Sequence, residues 1–136
     1  MLPNDVMASI GIAQFKKLAL LQERRKQIWE AYNNELNDID WLLIPPCIPK
    51  YVKHSYFTYY IRVLNGKRDE LARYLLDRGI YTTVRYEPLH LMECFKSNKS
   101  LPIAERLNEE LLNLPLHPNL SDEEVEYIIE NIKKFK

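Results

Sequence analysis

The run Thr82-Thr83-Val84-Arg85-Tyr86-Glu87-Pro88-Leu89-His90 holds the side chains best suited to meet a polar ligand. Arg85 carries a planar guanidinium that pairs with phosphate or carboxylate, Tyr86 an aromatic face with a hydroxyl, and His90 a ring that exchanges protons near neutral pH. Residues 80–86 alternate as a strand and then enter an irregular segment, and strand ends that run into loops often host ligands. The competing reading is structural: a strand end whose polar groups simply face water. A second set, His54 and Tyr56 beside Tyr59 and Tyr60, suits stacking on sugar or base rings. Its bland alternative is a strand core with one wet edge, which fits Tyr59 better than Tyr56.

Other chemistries find little support. His54, His90 and His117 lie too far apart for a local metal motif, and His90 with Cys94 is a weak pair outside any expected helix. A Cys94 nucleophile with His90 as base lacks a third, orienting group, so a buried or idle thiol is expected. Glycine occurs only at Gly11, Gly66 and Gly79, which leaves no phosphate-cradling loop and no dinucleotide fingerprint. Neither a metal site nor a catalytic residue is therefore assigned to this chain.

The elements that must position these residues follow from periodicity. Between Asn4, a suitable cap, and about Leu36 no proline interrupts a helical pattern of Val6, Ile10, Ala13, Leu18, Leu21, Ile28, Tyr32 and Leu36. Unbroken, this helix is about 50 Å long, whereas a compact chain of this size is about 35 Å across. It overreaches its own domain, so something else is expected to pack against it; the alternative is a break near Gln22–Arg25. Trp41–Ile44 reads as a short strand and Pro45–Pro49 as an extended connector. Tyr56–Leu64 is the clearest strand, with Phe57, Tyr59, Ile61 and Val63 on one face.

Asn65-Gly66 makes a turn, Arg68–Arg78 a helix that buries Leu71, Leu75 and Leu76, and Gly79 its left-handed end. Ile80–Tyr86 then alternates again, so strand, helix and strand imply a crossover. Pro102 opens a helix expected to hold Ala104, Leu107, Leu111 and Leu112, and Leu114–Pro118 is extended, with the option of adding a strand. Ser121 and Glu124 form a capping box ahead of a helix with Val125, Ile128, Ile129 and Ile132 inside. The fold class expected is α+β, a small sheet covered by helices with a long N-terminal helix.

Composition sets the outer bounds. The 136 residues, 46% hydrophobic and 28% charged, suit a single domain spanning 1–136. Nineteen basic and 19 acidic residues leave no net charge, which gives no footprint for nucleic acid and no support for a membrane partner. Two distant cysteines, with no signal sequence or long apolar span, point to the cytoplasm.

Several stretches, taken in order, resemble the C-terminal part of the DegT/DnrJ/StrS family of fold-type-I aminotransferases acting on nucleotide-linked keto sugars. They are Asn4–Phe15 with its Ile10-Gly11 and Gln14-Phe15, Arg24-Arg25 with Tyr32, His54–Tyr60, Arg78–Thr82, Pro88-Leu89-His90, and Leu114–Val125. The last is the most specific, since no capping or turn rule requires Leu-Pro-Leu-His-Pro. The resemblance implies a homodimeric enzyme whose large domain, absent from this sequence, holds pyridoxal 5'-phosphate on a lysine. The amino group then passes from glutamate or glutamine to a 3- or 4-keto sugar. None of the lysines here lies in that lysine's context, so no cofactor is expected on this chain alone, and alone it is expected to be inactive. By the same resemblance the small domain closes the cleft and shapes the nucleotide-sugar site through His90 foremost, then Arg85, Tyr86, His54 and Tyr56. Some relatives use the fold as dehydratases, and a stand-alone interaction or ligand-binding module is the other alternative.

Overall fold

A computed structural model describes residues 4–95, 97 and 99–135. Helix α1 runs unbroken through Asp5–Leu36, its start fixed by the Asn4 side chain, which accepts a 2.9 Å hydrogen bond from the Met7 amide. At 1.5 Å per residue it is about 48 Å long. Its last turns supply Ile28, Trp29, Tyr32 and Leu36 to the core. Every residue from Asn4 to Leu20 is exposed, including Phe15 and Leu20 at 75% each. Thus Val6, Ile10, Ala13 and Leu18, a helix face by spacing, are left uncovered by the core among the described residues.

The sheet has three antiparallel strands in the order β1 (Leu42–Leu43), β2 (Tyr59–Val63), β3 (Leu111–Leu114). Its centre is β2, where Tyr59, Ile61 and Val63 are wholly buried and alternate with half-buried Tyr60 and Arg62. Register sets Tyr59 opposite Leu114 and Ile61 opposite Leu112, so one apolar face is continuous across the two strands. Against that face lie the end of α1, helix α2 (Arg68–Leu76) through Leu71 and Leu75, and helix α4 (Asp122–Lys134) through Val125, Ile128, Ile129 and Ile132. Helix α3 (Pro102–Glu110) leads into β3, and its Glu110 receives Arg62 at 2.9 and 2.6 Å. The capping box at Ser121 and Glu124 is present in both directions. The architecture is α+β, helices over a small sheet.

Four local expectations change. Leu111 and Leu112 are strand, not helix: α3 ends at Glu110 because pairing with β2 outweighs the helix preference of leucine. The strand expected over Ile80–Tyr86 shrinks to one antiparallel bridge, Thr83 with Asn113. Tyr81, Val84, Arg85 and Tyr86 are all exposed, so neither face of this segment is buried deeply enough to hold a longer ladder. Since both Thr83 and β2 run antiparallel to β3, the segment is parallel to β2 but separated from it by β3. The strand expected from Tyr56 begins at Tyr59; Tyr56 takes a positive φ of 48° and Phe57 is 68% exposed. Finally, Leu76 is 56% exposed, outside the core that Leu71 and Leu75 join. The turn after β2 does place Asn65 and Gly66 at positive φ, and Gly79 ends the α2 segment at φ 75°.

Candidate functional site

A cavity of ≈ 820 Å³ opens where the chain leaves β3. Five segments wall it: Arg25 of α1, Phe57 and Thr58 ahead of β2, the strip from Gly79 to Arg85, Asn113–His117, and the start of α4 with Tyr127. Asn113, the single polar residue of β3 and almost fully buried, ties these walls together. Its Oδ1 accepts the Thr58 hydroxyl at 2.9 Å, and its Nδ2 donates to the Thr83 carbonyl at 3.0 Å. The two backbones bond as well, Thr83 N to Asn113 O at 3.2 Å and Asn113 N to Thr83 O at 2.8 Å. A buried amide satisfied on both sides is a rigid joint, so the strip carrying Arg85 is held although it forms no strand.

From below, Tyr32 donates its hydroxyl to the Pro115 carbonyl at 2.9 Å and sets the height of the β3 exit. Two guanidinium groups reach the cavity. Arg85 is exposed at its mouth, while Arg25 is half-buried and its Nε is closed off from solvent without an acceptor among the described residues. Acidic Glu123 and Glu124 also line it; Glu124 is spent on the capping box, and the Ser121 hydroxyl with a backbone amide holds the Glu123 carboxyl below its usual range. The arrangement suits a ligand that is anionic in part and flat or polar elsewhere, with Tyr81 and Tyr127 among the lining residues.

The five residues singled out in the sequence fall in three places. Arg85 lines the cavity, and Tyr86 beside it is 78% exposed. His90 lies outside the cavity wall, 9% exposed, with Nε2 2.9 Å from Glu105 Oε1. That bond, with a 2.7 Å bond from the Leu101 amide, holds the Glu105 carboxyl below the usual range. His54 and Tyr56 sit over α1 in an aromatic cluster: the Trp29 ring is 4.7 Å from His54 and 5.8 Å from Tyr56, centroid to centroid. The Tyr56 amide donates to His54 Nδ1 at 3.0 Å, so that ring nitrogen carries no proton.

Asn113 and Glu105 were not singled out by sequence, and Arg25 only as part of the resemblance, not as a site residue. For Asn113 a signal existed, one amide in the run Leu111-Leu112-Asn113-Leu114. Glu105 had none, since its partner His90 is 15 residues away. Cys47 and Cys94 are free and exposed rather than buried. Among the described residues no cluster of three or more His, Cys, Asp or Glu could hold a metal ion, and no helix is long and apolar enough to cross a membrane.

A model of the DegT/DnrJ/EryC1/StrS aminotransferase family matches residues 3–133. The chain belongs to this family. It is 37% identical over 131 residues to the dTDP-4-dehydro-2,3,6-trideoxy-D-glucose 4-aminotransferase of Saccharopolyspora spinosa, covering 96% of this chain and 34% of that protein. Among solved structures it resembles the aminotransferase TlmJ from Streptoalloteichus hindustanus, with TM-score 0.93 and 45% identity over 97% of this chain and 36% of TlmJ. It also resembles Spr1654 from Streptococcus pneumoniae in its PLP form, with TM-score 0.85 and 31% identity over 98% of this chain and 37% of that one. The chain thus spans about a third of the relatives it matches.

Family members depend on pyridoxal phosphate, which an enzyme of this kind holds on a lysine. Among the described residues no lysine lines the cavity, and no step of amino transfer is assigned to the residues that do.

Proposed function

We propose that this chain is the small C-terminal domain of a pyridoxal-phosphate-dependent aminotransferase that converts a nucleotide-linked keto sugar to an amino sugar, with glutamate or glutamine as donor. The observation that carries this reading is the match to the Saccharopolyspora spinosa enzyme, nearly end to end in this chain and confined to a third of that protein. The cofactor-holding lysine then belongs to the remaining two thirds, and this chain alone is inactive. Its task is to shape the sugar-nucleotide site. Arg85 pairs with a phosphate oxygen, His90 meets the sugar, Tyr86 stands beside Arg85, and His54 and Tyr56 contribute from their cluster over α1. The bare face of α1, with Val6, Ile10 and Phe15, packs against the large domain and the second subunit of a cytoplasmic homodimer.

The test is a chimera in which this chain replaces the matching third of the Saccharopolyspora spinosa enzyme. Arg85→Ala in the chimera raises KM for the dTDP-linked keto sugar at least about tenfold, the cost of one charge-assisted contact, and changes kcat little. An unchanged KM refutes the site. A second reading, a stand-alone interaction module, is favoured by the same exposed α1 face. It predicts that the chain holds a protein partner through α1 and that a folded chimera does not turn over.

A further inference from the structure

Among the described residues, His90 fastens the irregular segment after the cavity strip. The His90 carbonyl accepts from the Ser97 amide at 3.1 Å, closing a loop on itself, and the His90 ring meets Glu105 Oε1 at 2.9 Å. Glu105 stands in the first turn of α3, where the same oxygen accepts the Leu101 amide at 2.7 Å and the Ser100 hydroxyl at 3.4 Å. One carboxylate oxygen therefore joins the loop, the helix start and the imidazole. A carboxylate accepts and does not donate. In the neutral ring the nitrogen that faces it carries the proton, and Nδ1 keeps its lone pair, without a hydrogen-bond partner among the described residues. A partner of this kind commonly fixes tautomer and ring orientation in working histidines.

We propose that Glu105 is the positioning residue for His90: it fixes the imidazole as the Nε2–H tautomer and ties the loop to α3, leaving Nδ1 as the atom that meets a ligand. The last clause rests on the reading of His90 as a ligand contact; the first two do not. The depressed titration of Glu105, caused chiefly by the His90 bond, agrees with an ionised acceptor at neutral pH.

Nitrogen-15 NMR of the histidine rings in the full 136-residue chain tests the assignment, with His90→Phe identifying the His90 signals. The expected result is a slowly exchanging ring proton on Nε2 and an unprotonated Nδ1. Glu105→Ala speeds exchange of that proton about tenfold, as expected for loss of one bond to a charged acceptor. Glu105→Gln, which retains an acceptor oxygen, keeps most of the protection. A neutral ring with its proton on Nδ1 in the unsubstituted chain overturns the proposal whether or not any variant folds, and so does exchange unaffected by Glu105→Ala. His90→Phe in the chimera separates the two readings: an unchanged KM for the keto sugar removes His90 from the ligand site and leaves the ring measurement standing on its own.

Discussion

Alkali should unfold this protein through two phenols. Tyr32 and Tyr59 are wholly buried, their rings 4.9 Å apart, with hydroxyls donated to Pro115 O at 2.9 Å and Asn33 Oδ1 at 2.8 Å. Burial pushes both well above the ordinary 10.0, and for Tyr32 the charge that Tyr59 would carry adds to the rise. A group that holds its proton more tightly when folded contributes its full stability below its unfolded pKa and loses it above. The unfolded chain sheds these protons near pH 10 while the folded chain keeps them. Each tyrosine then costs about 1.4 kcal/mol per pH unit above that point, so from about pH 9 to about pH 11 the pair removes about 2.7 kcal/mol. That is a large share of the 5–15 kcal/mol, roughly, of an ordinary domain. Urea unfolding across this range measures the loss. Tyr59→Phe halves the slope, and Tyr32→Phe with Tyr59→Phe nearly abolishes it, even though each variant starts about 1 kcal/mol less stable at neutral pH. An equal alkaline loss in the double variant refutes the argument.

Asn113→Ala removes two buried side-chain hydrogen bonds, and urea unfolding should show a loss of about 2 kcal/mol, with faster amide exchange at Thr83. Ser121→Ala opens the capping box of α4 and costs about 1 kcal/mol in the same assay. His90→Phe deprives Glu105 of its main stabilising bond, so the Glu105 carboxyl, followed by carbon-13 NMR, titrates closer to the ordinary 4.5. Because that pKa is depressed in the fold, its contribution is present above the ordinary carboxylate range and fades as pH falls through the folded value, a fade that the variant moves to higher pH.

What could be read from sequence was local. The Asn4 cap and the Ser121–Glu124 box are decided within four residues, and both are in place. The alternation of Tyr59, Ile61 and Val63 survived because one face of β2 is wholly buried. What failed was decided across space. Leu111 and Leu112 fit a helix stripe as well as a strand face, and only the partners Arg62 and Ile61 choose between them. Ile80–Tyr86 alternates without a surface to bury against, so its pattern carried no ladder. At the candidate site, Arg85, which lines the cavity, was singled out by chemistry and chain position. The joint that holds it, Asn113 with Thr58 and Thr83, spans 55 and 30 residues. Residue types mark a candidate site; the contacts that position it are made across the chain and leave no local pattern.

The central claim, that this chain completes a pyridoxal-phosphate aminotransferase without itself holding the cofactor, is tested most directly by absorbance. Pyridoxal phosphate is added to the chain alone and to its chimera with the Saccharopolyspora spinosa enzyme. The account predicts no Schiff-base band with the chain, and with the chimera a band that glutamate or glutamine bleaches and the dTDP-linked keto sugar restores. A specific band on the chain alone, or a folded chimera whose band the keto sugar does not restore, contradicts it.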